Sequence, residues 1–178
     1  LVIGTYTGEA LFFNASLEFV KSIPLHDNAI KGLSAGNGTL FSVCANSDAV
    51  FYQENALHSL KSAHSKIANG CVFLKDKSFA SISRDLKLRV FTQDKTETFD
   101  TPHENSIKCI MADTTGRYIA TGSYGGQVAL FDYIKKEWIL NVRPTQSGIS
   151  SITYDEKQKR FLVSSYDGNI YPVKMETK

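Results

Sequence analysis

His64, Ser83 and Asp85 are the residue types of a nucleophilic triad: a hydroxyl, an imidazole to take its proton, and a carboxylate to orient the imidazole. A working triad needs its serine on a strained turn beside an oxyanion hole. Ser83 instead closes the alternating run Phe79-Ala-Ser-Ile-Ser83, which reads as a strand with neither. Damaged copies occur elsewhere, His103 with Ser123 but Gly125, and Ser165 with Asp167 but no histidine. A catalytic set gains nothing from fragments, whereas a structural one can be replaced by packing, so these groups read as structure. Gly122-Ser-Tyr-Gly-Gly126 has the glycine density of a phosphate-cradling loop, but no helix or lysine follows, and it reads as a hairpin turn. Cys44, Cys71 and Cys109 are odd in number and lack CxxC spacing, which argues against a disulfide framework or a zinc site and fits a reducing compartment.

The elements that position these residues come from a repeat. Gly4-Thr-Tyr-Thr-Gly8, Gly122-Ser-Tyr-Gly-Gly126 and Ser164-Ser-Tyr-Asp-Gly168 match one another, and Ser83-Arg84-Asp85 and Cys44-Ala45-Asn46 fit the same frame. Each is followed by an alternating stretch closed by Phe13, Tyr52, Phe91, Phe131 or Val173, at steps of 39, 39, 40 and 42 residues. Leu1, Leu40, Phe79, Ile119 and Phe161 form one further column; Ile3, Ser42, Ser81, Thr121 and Val163 form another. His26, His64 and His103 recur at steps of 38 and 39, one whole repeat apart, which is too far for a shared metal ion. Within a repeat, runs such as Thr39–Cys44 and Arg117–Ser123 are rich in β-branched and aromatic residues. Turn signals bound them: Gly36-Asn-Gly38, Asp113-Thr-Thr-Gly116, Gly125-Gly126 and Asp167-Gly168. About four short antiparallel strands per repeat, a to d, are expected. The sequons at Asn14 and Asn37 read as turn chemistry.

Composition narrows the function classes. The 178 residues carry 20 Lys and Arg against 18 Asp and Glu, a net charge of +2, with 42% hydrophobic and 21% charged residues, as in a globular domain. No apolar run approaches the ~18–20 residues of a membrane span, and no signal peptide is apparent at Leu1–Gly8. Near-neutral charge weighs against a dedicated nucleic-acid binder. Basic residues gather in the third repeat (Lys66, Lys75, Lys77, Arg84, Lys87, Arg89, Lys95), but Asp76, Asp85, Asp94, Glu97 and Asp100 offset them.

Four-strand units at this period resemble the WD-repeat (WD40-type) β-propeller family. The resemblance runs over residues 1–178 and is strongest in the fourth repeat, where His103 opens the unit and Thr121-Gly-Ser-Tyr-Gly-Gly-Gln-Val-Ala-Leu-Phe-Asp132 is similar to the family's closing motif. Phe131-Asp132 stands where the family has Trp-Asp; Phe13-Asn14, Tyr52-Gln53, Phe91-Thr92 and Val173-Lys174 stand there in the other repeats, which marks the chain as divergent. The resemblance implies an all-β propeller of about 4.5 repeats in one region. The repeats lie at about 1–25, 26–63, 64–102, 103–144 and 145–178, the first without strand a and the last without d. It also implies further blades upstream, about 90–100 residues of them in a seven-bladed ring at roughly 40 per blade, with a five-bladed ring closed at the two partial blades as the alternative. For His64, Ser83, Asp85, His103 and Ser123 it implies a structural network of buried hydrogen bonds.

The function expected is a non-catalytic scaffold for protein partners, with no cofactor and a cytoplasmic or, alternatively, nuclear location. Tyr6, Tyr124 and Tyr166 share one b–c turn position, filled by Arg84 in the third repeat. The d–a connections expected on the same side hold Asp27, Asn28, Lys66, Glu104, Asn105 and Gln146. Tyrosine and arginine in exposed turns are the residue types that dominate interfaces. Of this set, Tyr6, Arg84, Tyr124, Tyr166, Asn28, Lys66 and Asn105 are the candidate partner-binding face. Nucleic-acid binding through the third repeat is the alternative, and a propeller enzyme with channel carboxylates a weaker one, since Ile30–Ala35, Ile107–Ala112 and Ile149–Tyr154 contain no Asp or Glu pair.

Overall fold

The computed structural model describes residues 1–75, 78–92 and 94–174. Among them lie 18 strands and no helix, arranged as five separate antiparallel meanders in which each strand pairs with its neighbour in sequence. The first sheet is β1 (Val2–Gly4), β2 (Glu9–Phe13) and β3 (Phe19–Pro24). The second is β4 (Ile30–Gly36), β5 (Thr39–Cys44), β6 (Ala49–Gln53) and β7 (Ala56–Leu60). The third is β8 (Ala68–Phe73), β9 (Phe79–Ser83), β10 (Lys87–Phe91) and β11 (Thr96–Asp100). The fourth is β12 (Ile107–Ala112), β13 (Tyr118–Ser123), β14 (Val128–Asp132) and β15 (Glu137–Val142). The fifth is β16 (Ile149–Asp155), β17 (Arg160–Ser165) and β18 (Ile170–Lys174). Among the described residues the first and last sheets share no strand. Pro172 lies on β18, an edge strand, where its missing N–H costs no ladder bond.

The core is not inside the sheets but between them. Phe41, Val43, Ala49 and Phe51 of the second sheet pack on Ala68, Phe79 and Phe91 of the third. Leu74, Ala80, Ile82, Leu88 and Val90 of the third pack on Ile107, Ala112, Ile119 and Phe131 of the fourth. The fourth and fifth share a layer with Phe161, Val163 and Val173, and the first and second share one with Ala10, Leu25, Leu40 and Val50. Alternation at period two gives each strand a face for either neighbour, so a central sheet is apolar on both sides and only an outermost one has a free face. The closing aromatics of the third and fourth repeats serve this role: Phe91 and Phe131 are fully buried, each worth about 1.5–3 kcal/mol of transfer free energy. Phe131 also contacts Trp138 of its own sheet and Phe99 of the third. Asp132 beside it, 1% exposed, takes a bidentate pair from the Arg117 guanidinium at 2.7 and 3.1 Å and the N–H of Ile134 at 3.0 Å. It thereby pins the turn out of β14.

Two backbone devices recur once per repeat. In the turn after strand b, Gly8, Ser47, Leu86, Gly126 and Gly168 all have positive φ, between 63° and 96°. In the first and fourth repeats the position requires glycine: a Cβ on Gly8 or Gly126 would lie 2.0 Å from the His26 or Thr145 carbonyl oxygen. The second device is a bulge near the start of each strand a. Ile30 pairs with Cys44 and Gly32 with Val43, which leaves Lys31 as the extra residue. Asn69, Lys108 and Ser150 are the extra residues of β8, β12 and β16 in the same register.

Candidate functional site: the turn face and the buried histidines

Backbone hydrogen bonds bring the b–c turns and the d–a connections to one end of the sheets. Ala45, Arg84, Tyr124 and Tyr166 donate their N–H groups to the carbonyls of Ala29, Ile67, Ser106 and Gly148, at 2.9–3.0 Å. The side chain following each bond is therefore lifted onto this face. Arg84, Asn28, Lys66 and Asn105 are exposed there, and Tyr6, Tyr124 and Tyr166 are 83%, 40% and 60% exposed. The Tyr124 and Tyr166 rings are nearly parallel, 8° apart, with centroids at 6.4 Å, and so connect the fourth and fifth sheets. Tyr166 also covers Gly148 of the d–a connection, where a Cβ would approach its ring to 3.0 Å. Lys31 Nζ lies 5.6 Å from the Tyr6 ring centroid. Asn28 Oδ1 accepts from the Ala29 N–H, and the Asn105 amide lies over Gly125, in space that glycine leaves open.

Beneath this face sit three imidazoles, His26, His64 and His103, 8%, 2% and 4% exposed. Each meets a hydroxyl through Nε2: His26 with Ser42 at 2.8 Å, His64 with Ser81 at 2.6 Å, His103 with Thr121 at 2.8 Å. This corrects the pairing expected from the sequence. The partner is the strand hydroxyl two residues before Ser83 and Ser123, not those serines. Ser83 Oγ instead donates to the Lys66 carbonyl and accepts the Asp85 N–H, so it shapes its own turn. Ser123 Oγ and His103 Nδ1 have no hydrogen-bond partner among the described residues, and Gly125 stands where the third repeat has Asp85.

In the third repeat, Arg89 joins the set. Its guanidinium donates to His64 Nδ1 at 2.7 Å and to Asp85 Oδ2 at 2.8 Å, while His64 Nδ1 and Asp85 Oδ2 are 3.8 Å apart. A bare Nδ1 that accepts from arginine fixes the Nε2–H tautomer, so the imidazole is neutral and donates to Ser81. Burial holds the His64 pKa below the ordinary imidazole value, against the pull of Asp85. Burial would raise the Asp85 carboxyl, but the Ser65 N–H and the Arg89 guanidinium hold it well below the carboxylate range. For His103, burial alone brings the value down to about 4. A neutral imidazole whose base nitrogen faces a guanidinium cannot take a proton from a serine. The set ties connection, strand b, turn and strand c together. Arg89 carried no signal in the sequence beyond its charge.

Three cations of the third repeat's basic cluster are paired: Lys87 with Asp100, Arg89 with Asp85 at 2.8 Å, and Lys95 with Glu97 at 3.7 Å. Lys66, Lys75 and Arg84 have no ion-pair partner among the described residues; Asp76 and Lys77 lie outside them. Both sequon asparagines act in turns: Asn14 Oδ1 accepts the N–H of Ser16 and Glu18, and Asn37 adopts φ 51° in a two-residue hairpin loop. The thiols of Cys71 and Cys109 are pushed up by burial, the latter to about 12.

Known proteins share this architecture. The family described as "WD domain, G-beta repeat" matches residues 94–132, the stretch that closes on Phe131-Asp132. A WD repeat-containing protein 55 homolog of Drosophila virilis is 30% identical over 122 residues, covering 65% of this chain and 24% of its own. The chain thus spans about a quarter of the length of the curated relatives it matches. Among solved structures, a chain of the mitotic checkpoint complex superposes with a TM-score of 0.85 at 16% identity, over 98% of this chain and 57% of that one. The structure of U3-55K gives 0.85 at 20% identity, over 96% and 57%. Five sheets on one plan, one repeat matched outright and this shared architecture give the chain the fold of a WD-repeat β-propeller, with a WD repeat at residues 94–132.

Proposed function

We propose that the chain is a protein-interaction scaffold that engages partners through the face formed by its b–c turns and d–a connections. Propellers of this family generally serve as interaction platforms without catalysis. The observation that carries the reading is the exposed row at one turn position, Tyr6, Arg84, Tyr124 and Tyr166, with two rings already aligned at 8°. Rigid aromatic rings and arginine supply contact area at low entropic cost. The hydroxyls, imidazole and carboxylate of the third repeat that resemble a catalytic set are engaged in tying its connection, strand b, turn and strand c together. Nucleic-acid binding through the third repeat is less well supported, because Asp85, Asp100 and Glu97 already neutralise Arg89, Lys87 and Lys95. Unpaired cysteines agree with a reducing compartment such as the cytoplasm or nucleus.

A photo-crosslinking residue at Tyr166, compared with one at Ile134 in the outer c–d turn, tests this in cells that make the protein. Protein adducts specific to position 166 are expected. Adducts with nucleic acid alone, or an equal yield at both positions, would overturn the reading.

A further inference from the structure

Four cations on or beside the turn face have no anionic partner among the described residues: Lys31, Lys66, Arg84 and Lys108. The carboxylates of this end are, in contrast, engaged within the fold. Asp48 holds Lys61 at 2.9 Å, Asp85 holds Arg89 at 2.8 Å, and Glu104 holds Arg143 at 2.8 Å. Asp167 accepts from Thr145 at 2.5 Å and Tyr171 at 2.9 Å, and Asp27 lies 3.9 Å from Lys61. The free cations are also close in the fold. Arg84 is bonded through its N–H to Ile67, the residue after Lys66. Lys108 follows Ile107, whose carbonyl accepts from Asn69 Nδ2 of the third sheet at 2.7 Å. Lys31 and Lys108 are bulge residues released from strand pairing at the start of the innermost strands. Next to them, on the fourth and fifth sheets, lie the stacked rings of Tyr124 and Tyr166.

Resting on the scaffold reading, we propose that the segment this face binds is an acidic peptide carrying an aromatic or large apolar side chain. Its carboxylates would meet Lys66, Arg84 and Lys108, and its apolar side chain would lie against Tyr166. Unpaired cations beside exposed rings are complementary to such a segment in charge and in surface. A polynucleotide is a poorer match. The free cations are four among neutral and internally paired groups, not a continuous basic track, which suits a short acidic segment better than a long phosphate backbone.

The test is fluorescence anisotropy with the 178-residue chain in low salt and three labelled probes. The first is a twelve-residue peptide of alternating Asp and Glu with one central Phe. The others are its Asn/Gln counterpart and a twelve-nucleotide uridylate. We expect the acidic peptide to bind at least about ten-fold more tightly than its amide counterpart, with affinity falling as salt rises. Lys66→Glu with Arg84→Glu should weaken it by another ten-fold or more, as should Lys108→Glu, while Lys135→Glu in the outer c–d turn should not. Tyr166→Ala should weaken the Phe-bearing peptide more than one with Ala in its place. Thermal melts verify that these surface variants fold. Equal binding of the amide peptide, preference for the uridylate, or indifference to charge reversal would overturn the proposal. Position-166 cross-links to a neutral or basic partner would overturn it too, yet leave the scaffold reading standing.

Discussion

Acidification should loosen this fold through His103. The imidazole is 4% exposed, its Nε2–H donates to Thr121, whose own hydroxyl donates to the Ala129 carbonyl, and its Nδ1 meets no donor or anion among the described residues. Burial therefore depresses its pKa from 6.5 to about 4. As pH falls, the unfolded chain takes up this proton first. The contribution to stability is complete above 6.5 and is lost as pH drops to about 4. Integrated from pH 7 to pH 4, it amounts to about 3 kcal/mol, with a slope near 1.4 kcal/mol per pH unit in mid-range. His26 and His64 are depressed by burial as well and act in the same direction. The assay is urea unfolding followed by the single tryptophan, Trp138, which packs on Phe131 and donates to the Asp100 carbonyl at 2.7 Å. His103→Gln keeps a donor toward Thr121 but cannot take the proton. The variant should be less stable at pH 7 and lose about 3 kcal/mol less than the wild type between pH 7 and pH 4. Parallel pH profiles, or an NMR titration of His103 with a midpoint near 6.5, would refute the argument.

Further expectations separate the roles assigned to neighbouring residues. Ser81→Ala should cost about 1–3 kcal/mol, because it strands the buried His64 Nε2–H, and Ser83→Ala about 0.5–1.5 kcal/mol, measured by urea midpoints. The reverse order would restore Ser83 as the histidine's partner. Arg89→Met should destabilise by about 3–5 kcal/mol, since it leaves the Asp85 carboxylate buried without its cation, and NMR should then show the His64 pKa raised. Ser47→Gly should stabilise by up to about 1 kcal/mol, because residue 47 holds φ at 76°, a conformation glycine adopts freely; a loss of stability would show that the turn is not strained there.

The period, the strands and the turn face were legible in the sequence because each rests on a local rule that recurs. A positive-φ residue follows strand b, apolar residues alternate along it, and a bulky one closes strand c. The histidine network was half legible. Ser81 and Ser83 are two apart on β9, so strand geometry points both to one side, and only their distances from His64 tell them apart. Arg89 reaches His64 from another strand, and no spacing rule fixes where a long side chain ends. The bulges were invisible for a different reason: they are events of backbone pairing, and their one trace in the sequence is a polar residue, Lys31, Asn69, Lys108 or Ser150, directly after the apolar residue that opens the strand.

Those bulges give each innermost strand one residue that belongs to neither register. Upstream of it, Ile107 is matched to Ser123; downstream, Cys109 is matched to Gly122, and Lys108 between them answers to no partner. Side chains before and after the extra residue are thus out of step by one, which changes the face they present. Removing Asn69 would re-phase β8 against β9, turning Ala68 out of its packing layer and dragging the His64 connection with it. Replacing Asn69 by another polar residue would leave the pairing untouched. The four positions are therefore rigid in number but free in identity. A fold built this way can rewrite the chemistry along these four strands, one residue per strand, without renegotiating how they pair.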